Sequence, residues 1–318
     1  MQPEASSEAD KALKASVSSG TSASSSLSSG QSPSSSEEAA SADEAAEPVA
    51  VDVSPRQLDP GETLVITVSG AHSPESLLVH NDFGFAPRFS PLDENTLVAF
   101  LPLSYFTQPG QYTLSVSAND FSEPASFDIE VTNKQFEVQQ LTVEESTAED
   151  TIFSDEASKE YRAKIWPLKE LYDDTRYFDG RFLLPVEGPV TTQFGMIRYV
   201  NGQPNPRHDG VDLSAAAGTP VLCAQNGKVL YADFVKLTGN TVVVEHGYGL
   251  KSWYFHMQSL DVAAGDLVKT GDVLGKVGST GFSTGPHLHF SASINGVYIN
   301  PFTLVETDLL DTILSALP

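Results

Sequence analysis

Between about Val49 and Val131, apolar and polar positions alternate in short stretches broken by Pro, Gly, Asn and Asp. Leu64, Ile66 and Val68 form one such series, Tyr112, Leu114 and Val116 another, and Phe127, Ile129 and Val131 a third. A period of two places each series on one face of a strand, so the pattern predicts several half-buried strands. Ahead of them, residues 1–47 are dominated by Ser, Ala, Glu and Gly and hold almost no large apolar side chain. Such a segment cannot bury enough surface to offset its ordering entropy, and it is expected to be a disordered tether. Residues 134–180 read as a connector. Within it Ser154 can cap a helix whose first turn carries Asp155 and Glu156, Tyr161 and Ile165 share a face, and Pro167 limits or kinks the helix. From Arg181 to Val305 the strand pattern returns. Val242, Val243 and Val244 run into Glu245-His246-Gly247, and after a turn supplied by Gly247 and Gly249 a second strand carries Ser252 to His256. Next, VAAGDLVKTGDVLGKVGSTG places glycines at turn positions between short apolar runs.

The expected chain is therefore mainly β. Residues 48–133 predict an immunoglobulin-like β-sandwich, because Pro109-Gly110-Gln111-Tyr112 resembles the turn and tyrosine that open a late strand of that fold. A short, partly helical connector follows at 134–180. Residues 181–305 predict an antiparallel β barrel-sandwich, and 306–318 a C-terminal tail. The formal net charge of −24 disfavours nucleic acid and anionic lipid as partners. The lone cysteine, Cys223, has no partner for an intramolecular disulfide and reads as a small buried side chain in PVLCA. No apolar run is long enough to span a bilayer, and the N-terminus lacks a signal-peptide apolar core. An extracytoplasmic protein of this kind is expected to be exported or anchored through a leader outside these residues.

The densest chemistry is TGPHLHF, Thr284 to Phe290, where a strand would set His287 and His289 side by side on one face. RHDGVD, Arg207 to Asp212, adds His208 and Asp212 at a spacing of four, which shares a face on strand or helix. Imidazole nitrogen and carboxylate oxygen are donors that zinc accepts, and a catalytic zinc keeps three protein ligands with a fourth position open. Serine and cysteine hydrolase chemistry fits poorly, since there is no Gly-x-Ser-x-Gly elbow and Cys223 has no histidine nearby in sequence. An HExxH site is absent.

Four pieces, in order, carry a family resemblance: FGMIRYVNGQPNPRHDGVDLSAAAGTPV, VEHGYGLKSWYFHM, VKTGDVLGKVGSTG and STGPHLHF. Across residues 181–303 the chain resembles the lysostaphin-like, LytM-type zinc metalloendopeptidases, which cut the peptide part of bacterial peptidoglycan. The resemblance implies one zinc ion held by His208, Asp212 and His289, with His256 and His287 lining the reaction site. It also implies a peptidoglycan peptide substrate; the alternative is a non-catalytic wall-binding protein or an activator of another hydrolase. Phe255 departs from the small residue often found before the histidine of this motif. Isolated His72 and His80 read as surface residues and His246 as structural, while Arg207 and Asp209 read as loop surface. Tyr199, Asn201 and Trp253 are candidates for the groove lining, and acidic residues of the connector could reach the metal.

Overall fold

A computed structural model describes residues 49–70, 73–119, 121–309 and 311. The expected tether at 1–47, His72 and most of the expected 306–318 tail lie outside the described residues. The described residues all fall within one compact unit.

The first β region consists of two four-stranded sheets. One runs in the order Ala50–Ser54, Thr63–Ser69, Thr96–Pro102, Phe89–Pro91, and the other Gln57–Leu58, Ala125–Val131, Gly110–Ser117, Leu78–Asn81. Leu64, Ile66 and Val68 meet Leu114, Val116, Ile129 and Val131 in a single apolar core, so each alternating series points inward as its period requires. The half-buried expectation fails for the strand Thr63–Ser69, whose residues Leu64 to Val68 are all buried. The cause is a second contact. Val65, Val98 and Phe100, on the opposite face, enter the core of the C-terminal region, where Phe100 meets Phe178 edge to face at 6.3 Å. A sheet covered on both sides loses its polar face.

In the connector, Ser154 caps the helix Asp155–Lys164, its Oγ accepting from the Ala157 N–H at 3.2 Å. Ile165 is fully buried, and Pro167 sits in the first turn of a separate short helix, Trp166–Glu170, where its missing N–H costs nothing. Ahead of the helices, Val138–Leu141 adds in parallel to Ile197–Val200, which also pairs with Gln203–Asn205.

The C-terminal region is built on an antiparallel sheet with the order Val190–Thr192, Val211–Ser214, His287–Ile294, Leu250–Met257, Gly239–Gly247, Gly227–Val235, Leu267–Val268. Val297–Ile299 also pairs with the His287–Ile294 strand. The expected barrel is not closed: Val190–Thr192 and Leu267–Val268 end the sheet without pairing with each other. Of the glycine-rich stretch, Leu267–Val268 ends this sheet, while Val273–Lys276 pairs with Pro220–Leu222 and Ser259–Leu260 in a small separate one. Gly247 and Gly249, both at positive φ, make the expected turn into the Leu250–Met257 strand. Cys223 is buried as expected. Trp253 is fully buried with its indole N–H on Ser293 Oγ at 2.9 Å, so it is a core residue and not part of a groove.

Candidate metal centre

Three adjacent strands bring Asp212, His256, His287 and His289 together, and the segment leading into Val211–Ser214 adds His208. His289 stands at the middle of the arrangement, directly opposite Asp212 on one neighbour and Phe255 on the other, while His287 lies opposite Ser214. His287 and His289, two apart, share a face as the period demands. Strand alternation alone would turn His256 away from the face that holds Phe255 and His289. The pairing slips here: Met257 faces Asn240 and Tyr254 faces Val242, so Phe255 and His256 together oppose only Thr241. This is a bulge, with His256 at φ 64°. The bulge re-aims the ring, which lies 4.9 Å from His287 and 6.1 Å from His289, centroid to centroid.

His208 Nε2, Asp212 Oδ1 and His289 Nδ1 are each 2.9 Å from the other two. The far nitrogens settle which atoms carry protons. His208 Nδ1–H donates to the Gln193 carbonyl at 2.9 Å, and His289 Nε2–H has Ser291 Oγ at 2.7 Å and Asp209 Oδ1 at 3.2 Å as acceptors. All three converging atoms are then lone-pair donors. Shielded lone pairs this close repel unless a proton or a cation lies among them. Two imidazoles and a carboxylate, all three residues buried, thus form a group that could hold a metal ion, with the donor types and number that a catalytic zinc takes from protein. Arg198 holds the other side of Asp212, with Nη2 3.5 Å from Oδ2, and its Nε–H donates to Gln139 Oε1 at 2.9 Å.

The electrostatics follow from burial and charge. Burial disfavours the imidazolium of His289, but Asp209 and Asp212 on its two edges outweigh that and raise its pKa to about 9 with no cation present. Burial alone would raise the pKa of Asp212; His208 and His289, when a proton sits on the nitrogen facing it, hold it far below the usual carboxylate range. For His208, burial lowers the pKa and Asp212 only partly restores it. His256 is pushed down to about 3 by burial and then by His287 and His289. Its Nδ1–H donates to the Thr280 carbonyl at 2.8 Å, which leaves Nε2 as a lone pair. His287 is arranged alike: Nδ1–H donates to the Gly285 carbonyl at 2.8 Å, and Nε2 is 3.8 Å from Asp212 Oδ1.

The five residues line a cleft of about 490 Å³. Asn205, Pro206, Arg207, Leu237 and Thr238 also line it, but of the groove candidates Tyr199 and Asn201 do not. Asn201 instead bonds the backbone of Val143 through both side-chain polar atoms. The connector supplies Gln139, Leu141, Ile152 and Tyr161 to one wall, and none of its acidic residues lines the cleft. Phe255, the departure noted in the motif, stacks on His289 at 5.2 Å with the rings 3° from parallel. Arg198 and Asp209 were missed. Arg198 carries no local sequence signal, whereas Asp209 is a carboxylate adjacent to a suspected ligand.

The model of peptidase family M23 matches residues 206–301, which hold Asp212 and all four histidines of the site. Those residues form a peptidase M23 domain. The M23 segment is 41% identical over 97 residues to the DD-carboxypeptidase/endopeptidase Mpg of Neisseria meningitidis serogroup B, covering 30% of this chain and 22% of that protein. It is 38% identical over 127 residues to the peptidoglycan DD-endopeptidase ShyC of Vibrio cholerae, covering 40% of this chain and 26% of that one. The matched part spans about a quarter of the length of these curated relatives. A solved structure assigned to peptidase M23 from Pseudomonas aeruginosa shares the fold more broadly, with a TM-score of 0.57 at 24% identity over 77% of this chain and 93% of that one. The fold shared with that structure extends beyond the matched segment into the first β region.

Proposed function

We propose that the chain is a zinc-dependent endopeptidase that hydrolyses peptide crosslinks or stem peptides of bacterial peptidoglycan outside the cytoplasm. The observation that carries this reading is the convergence of His208 Nε2, Asp212 Oδ1 and His289 Nδ1 with their outer nitrogens already committed. These three residues would hold the zinc ion, which when bound supplies Lewis acidity to a scissile carbonyl and lowers the pKa of water towards about 7. His256 and His287 share the proton work. Each is fixed through Nδ1–H to a backbone carbonyl, so each offers Nε2 towards the cleft to take a proton from the attacking water or to hydrogen-bond the developing oxyanion. The low pKa of His256 keeps its ring neutral and able to accept. Arg198 restrains Asp212, so that Oδ1 faces the two histidines.

The partition that accompanies this reading is a tether at 1–47, a sandwich at 48–133, a connector at 134–180, the peptidase domain at 181–305 and a tail at 306–318. For the sandwich we propose the immunoglobulin type. Numbering its strands in chain order, the sheets run 1-3-6-5 and 2-8-7-4, which corresponds to A-B-E-D facing A′-G-F-C. The Tyr112 hydroxyl donates to the Gln108 carbonyl at 2.8 Å, the bond made by a tyrosine corner. Among the described residues no helix is long and apolar enough to cross a membrane. The function is tested by mass spectrometry of soluble fragments released from purified peptidoglycan by the protein and by His289→Ala. Fragments carrying a newly cut peptide bond, lost in the variant, support the reading. Intact peptidoglycan with both proteins sinks it.

A further inference from the structure

We propose that Asp209 is a positioning residue for His289, a carboxylate that fixes from behind which ring nitrogen faces the metal. The inference rests on the reading of His208, Asp212 and His289 as the metal site. Asp209 follows a ligand in sequence, yet its carboxylate turns to the far edge of another, with Oδ1 3.2 Å from His289 Nε2 and the side chain only 27% exposed. The backbone is pressed into the same place. A Cβ at Gly210 would lie 2.8 Å from His289 Nε2, so the segment that carries Asp209 packs directly on that edge of the ring. Ser291 Oγ, at 2.7 Å, is a second acceptor for the same N–H. It is neutral, however, and its hydroxyl rotates, so it does not by itself favour one tautomer. An ionised carboxylate cannot donate; it demands the proton on Nε2, which leaves the Nδ1 lone pair towards Asp212 and His208. It also makes the imidazole a stronger donor to a cation. His289 is thus gripped between two carboxylates, one beside the site and one behind it.

The test uses the full chain and two readouts that do not depend on catalysis: zinc affinity by competition with a chromophoric chelator, and the visible spectrum of the cobalt-loaded protein. The proteins are wild type, Asp209→Asn, Asp209→Ala and Ser291→Ala. Asp209→Ala is expected to weaken zinc binding about 10- to 100-fold and to shift the cobalt bands, because the ring is free to take the wrong tautomer or rotate. Asp209→Asn keeps an acceptor of the same size and should fall between it and wild type. Ser291→Ala should cost less than Asp209→Ala. Should Asp209→Ala fail to fold, the isosteric Asn variant carries the comparison. Wild-type affinity and an unchanged spectrum in both Asp209 variants would overturn the inference alone. A wild type that takes up no zinc would overturn the metal-site reading and this inference with it.

Discussion

Replacing Gly210 by alanine adds one methyl group on the route between His208 and Asp212. Its Cβ would sit 2.4 Å from the Phe290 carbonyl oxygen, 2.4 Å from Ser291 Oγ and 2.8 Å from His289 Nε2. Ordinary contact begins near 3.4 Å, so the Arg207–Val211 segment or the His287–Ile294 strand must move by about 1 Å. Rotation of Ser291 can relieve one clash, but the Phe290 carbonyl belongs to the backbone that positions His287 and His289. Both sides of the cluster are pinned by strand pairing, so the displacement falls on the distances among His208, Asp212 and His289. Overpacking of this kind costs about 1–3 kcal/mol of stability, and a misplacement of about 1 Å costs roughly a hundredfold in rate. The assay is peptidoglycan solubilisation by Gly210→Ala at saturating zinc, with zinc affinity and thermal unfolding measured on the same preparation. Near-normal activity with normal zinc affinity would refute the claim that the close approach of these segments sets the site.

Other expectations follow from the same coordinates. His246 is buried, with Nδ1–H donating to the Asn226 carbonyl at 2.8 Å and Ser252 Oγ 2.7 Å from Nε2; burial pushes its pKa down to about 4. The unfolded chain binds that proton first. The contribution of His246 is therefore complete above about pH 6.5 and is lost as pH falls towards 4, up to about 3 kcal/mol, a slope that urea titrations should find reduced in His246→Gln. Lys251 Nζ, buried, contacts Glu245 Oε2 at 2.8 Å and donates to the Leu171 carbonyl. Lys251→Met strands a buried carboxylate and should cost about 3–5 kcal/mol in denaturant unfolding, whereas the double change with Glu245→Gln should recover part of it; full stability in the single variant would contradict this. Ser154→Ala removes a helix cap and should cost about 1 kcal/mol in the same measurement, with zinc affinity unchanged.

The strands and the histidine pair were legible because they depend on local period. Leu64, Ile66 and Val68 share a face, as do His287 and His289, wherever the strand is placed. The turn at Gly247 and Gly249 and the Ser154 cap were also local. What sequence could not show depended on long-range contact. Val65 faces inward only because the C-terminal core covers that side of its sheet. Tyr199, Asn201 and Trp253 looked available for a groove, but register buried one and turned the others aside. His256 reached the site through a bulge that alternation does not foretell, and the roles of Arg198 and Asp209 emerged only from distances across the fold. The barrel expectation failed because repeated glycine turns specify short strands without specifying closure.

The most direct measurement is a paired one on the purified full chain: zinc content per molecule, and release of soluble peptides from purified peptidoglycan with and without a chelator. About one zinc ion per chain is expected, together with release that the chelator abolishes and added zinc restores. A chain that stays free of zinc after attempted loading, or that cuts peptidoglycan equally well in the chelator, would contradict the account.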